Sequence, residues 1–202
     1  MRWLVGWLLL VLSLDIRAGE FFLIPEYNPK PTYPIGLQRA GIFGDVRVKF
    51  TVRADGSVGH VNILASDHPD LSQATRIAIE QWRFKPWKVE KGKPAEQDVV
   101  APMFFRFDAP VDVNLWLKEL ECRVVNEALV LTPESSWIDS AAFLYTRAYL
   151  SGAFFQRQIS TEKRLELIAK LNHLVPSIAR QCLDNPAGKY VSYLPEDLRQ
   201  LL

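Results

Sequence analysis

Between Gly44 and Arg53 the chain alternates without a break. Val46, Val48, Phe50 and Val52 fall on one face and Asp45, Arg47, Lys49, Thr51 and Arg53 on the other, which is the period of a half-buried strand. Asp55-Gly56 follows at once. A tight hairpin turn needs positive φ, which Gly adopts without steric cost, so the chain is predicted to reverse here. A second strand over Val58 to Ser66 carries Val61, Ile63 and Ala65 on its inner face. Asp67-His68-Pro69-Asp70 then puts Pro at a first helical position and an acidic group at the positive end of a helix running to about Gln81. Leu71, Ala74, Ile77, Ala78 and Trp82 recur at helical spacing, with Gln73, Arg76 and Glu80 facing out. Hairpin and helix need each other, since neither is stable alone.

Trp82-Arg-Phe-Lys-Pro86 leaves this helix with two large rings to bury. A third strand, Val99 to Phe107, completes the unit. Pro102 has no N–H to give to a ladder, so this strand belongs at a sheet edge, or Pro102 marks a bulge. Upstream, Pro25, Pro29 and Pro31 make residues 20–32 an extended lead-in. Ile35 to Ala40 reads as a short helix with Pro34 at its start and Gly41 as its stop, and Ile42 and Phe43 as its contact to the hairpin.

Beyond Pro110 the periodicity becomes helical. One helix is predicted over Val113 to Leu131, through Leu115, Trp116, Leu120, Val124 and Ala128. Thr132-Pro133-Glu134 caps a second over Ser135 to Gly152, with Trp137, Ala141, Leu144, Tyr145, Ala148 and Tyr149 as its apolar side. Ser160 or Thr161 caps a third, which carries Leu165, Ile168, Leu171, Leu174 and Ile178 to Cys182 and is kinked at Pro176. A last short helix lies near Pro195 to Leu202. The fold class is therefore α+β: a β-β-α-β unit over 33–108, with a three-stranded antiparallel sheet packed on a helix, followed by an all-α region over 112–202.

At the N-terminus, Arg2 precedes the apolar run Trp3 to Leu14. As a helix, these residues would reach about 18 Å, short of the roughly 30 Å hydrocarbon core. Residues 1–19 therefore read as a secretory signal peptide, with Ala18 or Gly19 at the cleavage point, and retention as a short anchor is the other reading. Export exposes Cys122 and Cys182 to an oxidising compartment, where they pair or stay as two separate buried thiols.

Basic and acidic residues balance at 24 against 23. Such a chain lacks the field that non-specific nucleic-acid binding uses, so nucleic acid is not expected as a partner. His60, His68 and His173 stand apart from one another and from the cysteines, so no metal or other cofactor is expected. Ser57 and Ser66 lack a hydrolase elbow, and Gly41 and Gly44 precede a strand and not a helix N-terminus, so no enzyme activity is expected. The route to function is the edge strand: an extended peptide can add to it, unless the lead-in or the C-terminal helices cover it.

Pro31-Thr-Tyr-Pro34, Leu37, Gly41-Ile-Phe-Gly44, the Val46 to Val52 alternation, Asp55-Gly-Ser57, His68-Pro69, Ala74, Ala78-Ile79, Trp82-Arg-Phe84, Pro86, Gly92-Lys-Pro94 and Pro102 together resemble the C-terminal domain of the TonB family. The resemblance implies a periplasmic module that pairs its last strand with an extended TonB-box segment of an outer-membrane transporter. It places the peptide contact at Val99, Val100, Ala101, Met103, Phe104, Phe105, Arg106 and Phe107, and makes Trp82, Phe84 and Pro86 structural. Transducers of the family also carry a membrane helix and a long spacer. Here residues 15–32 span roughly 63 Å at most when fully extended, so force transmission by a short-anchored transducer is the least expected role. Cys122, Ala148-Tyr-Leu-Ser-Gly152 and Cys182-Leu-Asp-Asn-Pro186 are similar to HdeA-like periplasmic helical proteins, whose two cysteines bond. That likeness implies the alternative of a structural or chaperone-like envelope protein with its sheet edge covered.

Overall fold

The computed structural model describes residues 22–152 and 159–202. The expected signal peptide over 1–19 therefore lies outside the described residues. The described chain runs β1 (Pro25–Tyr27), α1 (Ile35–Ala40), β2 (Gly44–Arg53), β3 (Val58–Ser66), α2 (Pro69–Glu80), β4 (Arg83–Phe84), β5 (Glu96–Phe105), α3 (Val113–Glu119), α4 (Cys122–Leu129), a 3-10 turn Glu134–Asp139, α5 (Ala141–Ser151), α6 (Thr161–Asp184), a 3-10 turn Tyr190–Tyr193 and α7 (Glu196–Arg199). The fold is α+β, with a three-stranded antiparallel sheet in the order β3-β2-β5 and a two-stranded ribbon β1-β4.

β2 is the central strand, and its alternation is realised: Val46, Val48, Phe50 and Val52 are buried. α2 covers that face with Leu71, Thr75, Ala78 and Ile79. His68 caps α2 by accepting the Asp70 amide on Nδ1 at 3.1 Å, and Pro69 occupies the first helical position. Ile77, expected inward, is half exposed, and Thr75 and Ile79 take the buried stripe in its place. Six residues on from Leu71, Ile77 sits about 120° around the helix, so the true stripe runs 71, 75, 78, 79.

The hairpin closes at Gly56, where φ is +82° and an added Cβ would lie 2.0 Å from the Phe84 carbonyl oxygen. That carbonyl approach is possible only for Gly, and the Phe84 amide in turn donates to the Gly56 carbonyl at 2.9 Å. Phe50, Trp82 and Phe84 meet with ring centroids 5.6 to 6.4 Å apart. The Trp82 indole N–H donates to the Pro29 carbonyl at 2.9 Å, which draws in the lead-in. One stretch of that lead-in, β1, pairs with β4 and not with the main sheet.

Along β3 the inner-face expectation holds for Val61 and Ile63 but not for Ala65, which is exposed. The register steps from Arg47 opposite Ala65 to Val48 opposite Ile63, leaving Leu64 as an extra residue. A bulge shifts the side-chain phase by one, so Ala65 joins Arg47 on the open face. A second irregularity lies between Lys49 and Thr51, where His60 adopts φ +51°.

The C-terminal helices build their own cluster around Leu117, Phe143, Leu171 and Tyr190, stapled by the Cys122–Cys182 disulfide. The helix expected over Val113 to Leu131 is two, broken at Leu120, which is extended (ψ 114°). Its carbonyl accepts the Tyr190 amide at 2.9 Å, and the Cys122 amide reaches the Gly188 carbonyl at 2.8 Å. Tertiary bonds thus replace one turn of helix. The buried face is Val113, Leu117, Cys122, Val125 and Leu129 with the expected Leu120, whereas Leu115, Trp116, Val124 and Ala128, expected inward, are exposed. Similarly, the helix expected from Ser135 is a 3-10 turn followed, after extended Ser140, by α5. The inward face of α5 holds Ala142, Phe143, Thr146 and Arg147 with the expected Ala148, while Leu144 and Tyr145 are half-buried. Arg147 is 1% exposed and bonds the Ile138 carbonyl at 2.8 Å and Asn172 Oδ1 at 3.2 Å. Desolvation lowers its pKa to about 10, which leaves it charged at neutral pH.

Replacing both cysteines by Ala opens a loop of separation 60 in the unfolded chain. The chain-entropy account then predicts a loss of roughly 4 kcal/mol. The urea midpoint of the wild type against the double variant, followed by far-UV circular dichroism, measures it.

Candidate functional site: the free edge of the sheet

β5 pairs with β2 in unbroken register from Gly44 opposite Phe105 to Arg53 opposite Glu96. No bulge accommodates Pro102, so it must sit where its nitrogen turns away from β2. The hydrogen bonds of β2 bear this out. The Asp45 carbonyl accepts from Asp67 and the Arg53 amide donates to Ser57, on the β3 side, whereas the Ala54 amide donates to Ala95, on the β5 side. Odd residues of β2 therefore face β3, and Arg47 opposite Pro102 is a non-bonded pair toward β5. It follows that Asp98, Val100 and Phe104 direct both N–H and C=O to the outer edge of β5, while Pro102 offers only its carbonyl. Among the described elements, β2 is the partner with which β5 makes extensive contact.

The side chains of this strand split by parity. Gln97, Val99, Ala101, Met103 and Phe105 are half-buried or buried, and Glu96, Asp98, Val100, Pro102 and Phe104 stand on the open face. Lys49 pairs with Asp98 at 2.7 Å and Arg53 with Glu96 at 3.4 Å. The Lys49 bond, with that of the Thr51 hydroxyl, holds the Asp98 carboxyl below its ordinary range. Charge at the start of β5 is therefore spent on β2, and the half from Val100 to Phe104 is apolar, with Phe104 65% exposed.

Two grooves flank this half. One of about 330 Å³ lies between Lys30, Pro31 and Tyr33 of the lead-in and Pro102 to Arg106. The other, about 410 Å³, lies on the open face between Arg47, Ala65 and Asp67 and the side chains of Val100, Pro102 and Phe104. Pro102 and Phe104 line both and so form the ridge between them. A third groove, about 380 Å³, runs between Pro29 to Pro34 and the outer side of α2 at Ala74 and Ile77, away from the edge.

Of the eight residues singled out in the sequence, Val99, Val100, Ala101, Met103, Phe104 and Phe105 lie in β5. The strand begins earlier than expected, at Glu96, and ends at Phe105, so Arg106 and Phe107 fall beyond it. Arg106 turns back to bond the Gly44 carbonyl at 3.0 Å and Asp45 at 2.5 Å, which ends the ladder. Phe107 packs on Tyr33 at 5.6 Å. Burial pushes the Tyr33 phenol up to about 12, and its O–H donates to the Ile42 carbonyl at 2.7 Å. Asp98 was not among the eight, although its outward backbone was implied by the placement of Pro102 and strand parity.

The helical part meets the sheet unit at α1, not across β5. Arg39 makes a two-pronged pair with Asp139 at 2.9 and 2.6 Å, and Asn172 Nδ2 donates to the Arg39 carbonyl at 2.7 Å. Arg164 donates to the Gly41 carbonyl at 2.6 Å, with its guanidinium 4.9 Å from the Phe43 ring centroid. Arg106 lies 5.4 Å from the same ring, so the end of β5 and the start of α6 share one aromatic contact. Gly41 is the C-cap of α1 at φ +72°, and an added Cβ would lie 2.3 Å from Ile168 Cδ1. No periodicity announced this junction, because each of its polar residues is isolated in sequence. Among the described residues there is no group of three or more metal-ligating side chains and no helix long and apolar enough to cross a membrane.

The described sheet is thus antiparallel, with one face under α2 and with β3 and β5 as its two outer strands. Residues 29–107 match the family model described as Gram-negative bacterial TonB protein C-terminal. That stretch is similar to a TonB C-terminal segment. Similar curated proteins are the TonB proteins of Pseudomonas aeruginosa, 33% identical over 39% of this chain and 23% of that protein, and of Escherichia coli K12, 36% identical over 42% and 34%. Klebsiella aerogenes TonB is 38% identical over 32% and 25%. The chain thus spans about a quarter to a third of the length of these relatives. The solution NMR structure of the Pseudomonas aeruginosa TonB CTD aligns at 29% identity and a TM-score of 0.39, over 46% of this chain and 93% of that one.

The Arg39–Asp139 pair makes the junction sensitive to acid. The Arg39 hydrogen bonds hold the Asp139 carboxyl below its ordinary value of 3.8. A depressed carboxylate stabilises the fold fully above its unfolded value and loses that contribution as pH falls through the folded one. Amide exchange around α1 and Gly41, corrected for the intrinsic rate at each pH, is therefore expected to be equally slow at pH 7 and pH 5 and to accelerate below about pH 3.8. In Asp139→Asn it should be faster already at pH 7 and lose the acid step.

Proposed function

We propose that residues 29–107 form a periplasmic docking module, without enzymatic activity of its own, that takes an extended, TonB-box-like segment of an outer-membrane transporter or another envelope protein onto the outer edge of β5, in the service of TonB-dependent transport. The observation that carries this reading is the row of outward backbone groups at Asp98, Val100 and Phe104, on a strand whose extensive partner is β2 alone, within a TonB C-terminal segment. A peptide strand added there would gain about four backbone hydrogen bonds at ~1 kcal/mol each, and its side chains would drop alternately into the two flanking grooves. Set against the cost of association, that gives micromolar affinity at best. Docking would be transient, as suits a partner that must be released.

The test uses the edge itself. Val100→Pro removes an outward N–H that β2 does not use, so the fold should survive while the edge loses a donor beside the one that Pro102 already lacks. Titrating a labelled TonB-box peptide against the protein should shift the amides of Asp98, Val100 and Phe104 first. In Val100→Pro the affinity should fall about tenfold or more, with Val100→Thr unchanged. Shifts confined to α2 or to the helical part, with none along β5 at millimolar peptide, would sink the proposal.

A further inference from the structure

The end of the sheet opposite the helical part concentrates charge that the rest of the chain lacks. Residues 83–94 hold Arg83, Lys85, Lys88, Lys91 and Lys93 against Glu90 alone, five less one, a local charge of +4. The whole chain carries +1, so the remainder stands at −3. Lys93 pairs with Glu90 at 2.6 Å, and Arg83 donates to the carbonyls of Trp82 and Glu80. Lys85, Lys88 and Lys91 are exposed, and none forms an ion pair among the described residues.

The loop that presents them is held in shape. Glu90 and Lys93 exchange backbone bonds of 3.1 and 2.8 Å around Gly92 at φ +86°. The Trp87 amide donates to the Ala54 carbonyl at 2.9 Å, and its indole N–H donates to the Pro94 carbonyl at 2.7 Å. Apolar side chains stand out beside the lysines. Val89 is 60% exposed. The Lys85 amide donates to the Ile24 carbonyl at 2.8 Å, so the end of the lead-in lies alongside. Leu23 turns inward to the Phe50 cluster, whereas Phe22 and Ile24 are 71% and 52% exposed.

Free ammonium groups interleaved with exposed aliphatic and aromatic side chains match a surface that is anionic outside and hydrocarbon beneath. Lysine stems lie along the boundary with their heads on phosphate, while apolar groups enter it. An acidic protein segment would satisfy the charge but leave Phe22, Ile24 and Val89 without a reason to be exposed together. None of the grooves described above reaches Lys88, Val89 or Lys91. We propose that this end of the molecule binds an anionic phospholipid surface, with Lys85, Lys88 and Lys91 on the headgroup phosphates and Phe22, Ile24 and Val89 in the interface. β2 runs from the junction at Gly44 to this end at Arg53, roughly 30 Å. A molecule seated so would hold its helical part clear of the lipid.

The full chain is mixed with vesicles of phosphatidylcholine alone, or with about 30% phosphatidylglycerol, and followed by amide exchange and co-sedimentation. Residues 22–24 and 85–93 should gain protection on the anionic vesicles and not on the neutral ones, and added salt should remove it. In Lys85→Gln/Lys88→Gln/Lys91→Gln the preference for anionic over neutral vesicles should fall about 100-fold. Val89→Asp should weaken binding with all three lysines in place. Equal protection on both vesicles, or a triple variant that keeps its preference, would overturn the proposal. Protection by poly-glutamate without protection by phosphatidylglycerol would overturn it in favour of an acidic polypeptide partner.

Discussion

Everything in the sheet unit depends on the burial of one face of β2 beneath α2. That face packs Val46, Val48, Phe50 and Val52 in clusters with Leu71 and Ile79, and Phe50 extends the contact to Trp82 and Phe84. At roughly 1.5 to 3 kcal/mol for each large aliphatic or aromatic side chain fully buried, no other interaction in the unit approaches it. It also sets the consequences. A central strand bonded on both sides leaves two outer strands, and of these α2 makes extensive contact with β3 and not with β5. The exposed edge is therefore a by-product of the core, positioned to within the pleat of one strand by side chains that face the other way.

The helical part is attached by different physics. Its own cluster is apolar and closed by a disulfide, but its contact with the sheet unit is largely polar: an Arg–Asp pair, two bonds to the backbone of α1 and its cap, and a guanidinium against Phe43. Ion pairs and carbonyl bonds of this kind fix an orientation more than they add stability. Both Arg106, just past β5, and Arg164, near the start of α6, rest on Phe43. The end of the edge strand and the helical part are thus mechanically adjacent, though the strand's outer side faces elsewhere.

Much of the sheet unit was legible because its rules are local. Strict alternation over Gly44 to Arg53, the Asp55-Gly56 turn, Pro69 at the start of α2 and Gly41 at the end of α1 each need only a few neighbouring residues to be read. Pro102 on an edge strand followed from a missing donor. What failed there was phase: the Leu64 bulge moved Ala65 to the open face, and Ile77 lay off the buried stripe of α2 by a third of a turn. In the helical part the losses were larger. Leu115 and Val124 fall at helical spacing yet are exposed, and only packing shows that Leu117, Val125, Phe143 and Thr146 face the core, whereas the expected Trp137, Tyr145 and Tyr149 do pack against it. The breaks at Leu120 and Ser140 have no local breaker, because the bonds that replace the helix come from Gly188 and Tyr190 or from the packing of the 3-10 turn.

By itself, then, the amino-acid sequence determined which segments become the three strands of the main sheet and the two helices of that unit, that its third strand is an edge, and that residues 31–107 resemble a TonB C-terminal segment, but not the β1-β4 ribbon. Alternation, turn chemistry and proline stereochemistry act over a handful of residues, so sequence order carries them. The tertiary structure alone decided where the edge ends, which backbone groups it offers, that Arg106 closes the ladder on Asp45, and that the helical part docks on α1 and leaves β5 without a helix across it. Those outcomes depend on contacts between residues 60 to more than 120 positions apart, where no periodic signal connects the partners and only the closing of the whole fold brings them together.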